Sequence, residues 1–102
     1  MRLIAKLSDM IEEEINDAGK YIRCALIHKE DNPEAARVFY NLSNQELEHM
    51  AILHNLVVNL ISEYKKEHGD PPPEMQARYD WLHERHVEDA NEVMVLQASY
   101  MK

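Results

Sequence analysis

Glu46 and His49 stand three residues apart in a run otherwise spaced like the apolar face of a helix. That stripe passes through Phe39, Leu42, Leu53, Leu56 and Leu60, and its two missing members fall at positions 46 and 49. Residues three apart share one helical face, so the spacing turns a carboxylate and an imidazole toward the core. Burying such groups without partners costs on the order of several kcal/mol, and a metal ion compensates well. The carboxylate brings charge and the histidine a neutral nitrogen donor. Glu14 is the candidate to face them. It falls inside a second stripe between Ile11, Ile15 and Ala18, whereas Glu12 points away from that stripe and Glu13 lies at its border.

These residues need helices to hold them, and the sequence supplies three. Asp31-Asn32-Pro33 reads as a stop and a fresh start, with Asn32 as N-cap and Pro33 at the first helical position. His68-Gly69-Asp70-Pro71-Pro72-Pro73 is the second break. Gly69 suits a helix C-terminus, Asp70 is a candidate cap for the third helix, and three prolines forbid a continuous one. The segments between, about 3–30, 33–68 and 72–101, each carry a helical apolar period. In the third, it runs Met75, Tyr79, Leu82, Ala90, Val93 and Leu96. The middle helix spans roughly 50 Å at 1.5 Å per residue, so part of it is expected to pack on a neighbouring subunit. If the first two helices form an antiparallel hairpin, Glu14 lies about 17 residues before the break near 31 and Glu46 about 15 after it. They then sit at similar depth.

Composition agrees with a single all-α domain, 1–102, and narrows the partners. The chain has 102 residues, 45% hydrophobic and 29% charged, with two Gly and four Pro. A net charge of −8 argues against nucleic acid or an anionic membrane as partner. Cys24 is the only cysteine, which excludes an internal disulfide and a cysteine metal cage. Arg2-Leu3-Ile4-Ala5-Lys6 runs at once into Ser8, Asp9 and three glutamates, unlike a signal peptide. Apolar runs such as Leu56-Val57-Val58 are far too short to span a bilayer. The expected location is cytoplasmic.

Glu14-x-x-Asp17-Ala18-x-x-Tyr21, followed by Ala36-x-x-Phe39-x-x-Leu42-Ser43-x-x-Glu46-x-x-His49, resembles the first half of the rubrerythrin and ferritin-like superfamily of di-iron carboxylate proteins. The likeness covers roughly residues 7–60. It implies that Glu14, Glu46 and His49 are iron ligands and carry the chemistry, with Glu46 of the bridging type and Tyr21 an aromatic near the site. Manganese is a reasonable substitute on the same donors.

The departures matter as much. Full-length relatives in that superfamily carry a second helix pair with another Glu and another Glu-x-x-His; this chain offers Asp80-x-x-His83, His83-x-x-His86 and His86-x-x-Asp89 instead, with no fourth helix and without the four cysteines that a rubredoxin-like module needs. A full di-iron set is four Glu and two His, and this chain supplies half. The implied protein is therefore a homodimer, or a higher even oligomer, whose four-helix core and shared site are completed by a second copy, oxidising ferrous iron with dioxygen or peroxide. In this it is similar to the short encapsulated ferritins, although no encapsulin-targeting tail is evident in Leu96–Lys102. Two other readings remain open from the residues: a metal-free helical interaction module in which Glu46 and His49 form a buried ion pair, and a non-redox metal-binding or iron-delivery protein.

The remaining histidines read as less special. His83, Glu84, His86 and Glu88 spread around their helix, as on a solvated face. His54 reads as a core-edge or surface residue, and His28 and His68 sit near helix C-termini, where positive charge is favoured. Cys24 and the six methionines read as packing residues, and Trp81 as an anchor for the third helix, within the chain or at a subunit contact.

Overall fold

The two breaks act as their residues dictate. The Asn32 side chain accepts a hydrogen bond from the Ala35 backbone N–H at 3.1 Å, with Pro33 at the first helical position. At the second break Gly69 takes φ 75°, a left-handed conformation that a Cβ would strain, and its N–H donates to the Lys65 carbonyl at 2.9 Å. The computed structural model describes residues 2–102 as α1 (Arg2–His28), α2 (Pro33–His68) and α3 (Pro73–Met101), with no strand among them.

Two boundaries differ from the pattern in the sequence. The first helix stops at His28 rather than near residue 30, because Asn32 must leave the helical region ahead of a proline. Its N–H instead closes the turn onto the His28 carbonyl at 2.9 Å, and His28 Nδ1 lies 3.1 Å from Asp31. Asp70 does not cap α3. Pro72 holds that position with the extended angles φ −53° and ψ 144°, and no side chain caps the helix.

The central element is α1. It packs extensively on α2, less on α3, while α2 and α3 scarcely meet. Its stripe of Ile4, Leu7, Ile11, Ile15, Ala18, Ile22 and Ala25 is buried almost without interruption, as a helix covered on two sides requires. The small residues Ala18, Ala36 and Ser43 let the hairpin close tightly. Fully buried Ser43 donates its hydroxyl to the Ala18 carbonyl at 2.8 Å and accepts from Gln97 Nε2 at 3.0 Å, so one side chain links all three helices.

Only the C-terminal half of α3 is firmly seated, through Ala90, Val93 and Gln97. In its first half Met75 is exposed, and Trp81 is 54% exposed with the Arg85 guanidinium 5.0 Å from its ring centre. Trp81 therefore does not anchor the helix to the rest of the chain. The outcome is a rod of 55 × 19 × 18 Å. No helix among the described residues is long and apolar enough to cross a membrane.

Candidate metal centre

The antiparallel hairpin brings Glu14 from α1 level with Glu46 and His49 from α2. His49 Nδ1 lies 3.7 Å from Glu14 Oε2 and 3.9 Å from Glu46 Oε2, too far for hydrogen bonds but close enough for one ion to span. One donor atom from each residue lies within 4.8 Å of the others, and among the described residues no other group of three such side chains converges in this way.

The position differs from the heptad reading in one respect. The stripe places the pair toward the core, yet the three side chains line an edge of the α1–α2 seam that is open on one side. Glu46 is 19% exposed and Glu14 25%, whereas His49 is 55% exposed. A heptad fixes which residues share a face; it does not say whether the chain's own helices cover all of it.

The carboxylates are held under electrostatic stress. Glu46 is pushed up to about 7, first by sharing a hydrogen bond with Glu14, then by burial, then by the Glu14 charge; Asp17 adds to this and His49 opposes it. Glu14 Oε2 is buried with no hydrogen-bond partner. Two clustered carboxylates, one orphaned oxygen and a nitrogen donor form a set that a divalent cation would relieve. The donors are hard oxygen and borderline nitrogen, which fits Fe²⁺ or Mn²⁺. Since Glu14 is the leading cause of the raised value, Glu14→Ala should return the Glu46 pKa toward 4.5 in metal-free protein. Carboxyl carbon chemical shifts followed through a pH titration would show it, and an unchanged midpoint would mean the two side chains do not interact.

An aromatic pair flanks the cluster. Tyr21 stands seven residues after Glu14 and Phe39 seven before Glu46, and their rings stack with centres 6.4 Å apart. They close the seam about 10 Å along the helix axis from the carboxylates.

Two features escape a reading by apolar periodicity. Gln97, a polar residue four positions after Val93 and seven after Ala90, takes the next place on the inner face of α3, is buried and reaches the Ser43 hydroxyl. Glu12, which the α1–α2 pattern turns away from the core, faces α3 near His86 and is half-buried. A helix with two neighbours has two inward faces, and the first stripe reveals one of them.

Comparison with protein-family models, with curated proteins and with solved structures finds no match.

Proposed function

We propose that this chain binds ferrous iron at Glu14, Glu46 and His49 and that two copies, related by a two-fold axis, complete a ferritin-like di-iron site. The observation that carries the reading is the incomplete yet converged donor set: two carboxylates and one imidazole within 4.8 Å, with one open side. Doubling that set gives the four Glu and two His of a carboxylate-bridged pair of irons.

The surroundings of the open side support a second copy as its cover. Leu56 follows His49 by seven residues and shares its strip of α2; Val38 and Ile52 lie on the adjoining strip, and Met10 precedes Glu14 by one turn on α1. All four are exposed although apolar. A half-site rimmed by exposed aliphatic side chains matches the isologous surface of a two-fold dimer, where each patch meets its own copy. The resemblance of the Glu14-to-His49 run to the rubrerythrin and ferritin-like superfamily points the same way.

In this reading iron is the substrate. Two ferrous ions each give up one electron, and those two electrons with two protons from solvent reduce dioxygen to hydrogen peroxide, or hydrogen peroxide to two waters. The protein supplies placement: charge from Glu14 and Glu46 and a nitrogen donor from His49. Fe²⁺ added aerobically to metal-free protein should be oxidised faster than free Fe²⁺ in the same buffer, as read by loss of ferrous-chelator colour.

Assembly gives an independent test. Iron that binds a dimer and not a monomer pulls subunits together, by about 2.7 kcal/mol at 100 times its dissociation constant. Dilute metal-free protein in the ultracentrifuge should shift to a dimer or a higher even oligomer when one Fe²⁺ per chain is added anaerobically. Two Fe²⁺ binding to a chain that stays monomeric would rule out the shared site.

A further inference from the structure

The seam between α2 and α3 is the thinnest contact in the molecule, and three histidines gather there. His54 of α2 and His83 of α3 stack with ring centres 5.2 Å apart. One turn along α3, His86 turns inward, and its Nε2 is buried with no hydrogen-bond partner. All three line a cavity of about 10 Å³ whose other walls include Ser8, Val57 and Tyr79. His83, Glu84 and Glu88 are exposed, as their spacing implies, and His86 alone departs from the solvated face. The reason is that α3 is turned by its Ala90, Val93 and Gln97 contacts, which carry His86 against α1.

An unpartnered ring nitrogen beside two more imidazoles is a donor set of a different kind from the carboxylate cluster. It is nitrogen-rich, without a carboxylate, and shared between two helices that hold each other weakly. Burial lowers the pKa of both His54 and His86; His83 adds to the effect at each, and Arg85 at His86, while Glu12 and Asp89 oppose it there. These two rings therefore present free lone pairs at neutral pH.

We propose that His54, His83 and His86 form a second cation site, selective for a borderline transition ion such as Ni²⁺ or Zn²⁺, that ties α3 to α2. Three imidazoles suit these ions, and tetrahedral Zn²⁺ accepts three histidines with a water in the fourth place. The His54 and His83 rings are stacked rather than converged on one point, so binding requires rotation about their side-chain torsions. The lightly packed first half of α3 leaves room for that adjustment. Glu12, close to His86, is placed to orient its ring or to balance the added charge.

The test is calorimetric titration with Ni²⁺ of a Glu14→Ala/Glu46→Ala variant, which removes the carboxylate cluster and so separates the two sites. One Ni²⁺ per chain should still bind. Adding His83→Ala or His54→Ala should weaken that binding at least tenfold, whereas adding His68→Ala at the exposed end of α2 should not change it. His83 is exposed, so its replacement leaves the core intact, and circular dichroism of each variant checks this. Absence of Ni²⁺ binding in the carboxylate-free variant, or binding that neither His54→Ala nor His83→Ala weakens, would overturn the proposal.

Discussion

Glu46→Ala and His49→Ala should each lose most of the ferrous iron bound by the parent chain, while keeping its helical content. The first removes the carboxylate nearest the His49 imidazole after Glu14, and the second removes the only nitrogen donor of the cluster. Neither belongs to the buried stripe that holds α1 to α2, so the hairpin should stand without them. Loss of one ligand from a three-residue set should reduce affinity by at least a hundredfold, measured by equilibrium dialysis under anaerobic conditions. His83→Ala should leave iron stoichiometry intact.

The same site sets the pH dependence. Glu46 has a folded pKa raised from 4.5 to about 7, so its protonated form favours the metal-free fold. That contribution is fully present below about 4.5 and is lost as pH rises through about 7. Iron needs the ionised carboxylate and must displace this proton. Affinity should fall about tenfold per pH unit below 7 from this group alone, with proton release near neutrality. Equal iron uptake by the parent and both alanine variants, or an affinity flat from pH 7 to 5, would remove these residues from the site.

The second large effect is on stability. Ile22 is completely buried, on the face of α1 that meets its neighbours. Ile22→Ala removes three side-chain carbons and leaves a cavity that two long helices cannot collapse without shifting their whole register. The expected cost is about 2–5 kcal/mol, a large part of the 5–15 kcal/mol typical of a domain. Ile27→Ala, five residues on and 71% exposed, should change stability by less than about 0.5 kcal/mol. Urea unfolding of the two variants beside the parent gives the comparison. Equal midpoints for both would contradict the packing of α1.

The hairpin and the convergence of Glu14, Glu46 and His49 were legible because both rest on local rules. Asn32-Pro33 punctuates the chain, and near-equal offsets from that break put Glu14 and Glu46 at one depth. What could not be read was any contact decided by the third helix. The inward turn of His86 is itself in the pattern, since His86 lies four residues from Leu82 and Ala90 and seven from Tyr79 and Val93, but the residues it meets on α1 and α2 are not. The stripe of α3 is sparse, with the exposed Val87 as the one apolar residue between Leu82 and Ala90, so periodicity gives the helix and its inner face without the neighbours that face meets. Trp81 shows the same limit: a large apolar residue with no covering neighbour looks like an anchor until the packing is known. Asp70 failed as a cap for a local reason, since two prolines separate it from the helix it would have served.

Every donor in the carboxylate cluster lies on α1 or α2, and the link from Ser43 to Gln97 spans 54 residues of sequence. The hairpin closes over a four-residue connection from His28 to Pro33 and needs no distant segment to form. Chain segments close in sequence meet first, because the entropy lost in closing a loop grows with its length. During folding, then, the cluster of Glu14, Glu46 and His49 can be in place before α3 arrives, and the later docking of α3 seals the far side of α1 without rearranging any of the three. The candidate site belongs to the part of the molecule whose contacts close the shortest loop.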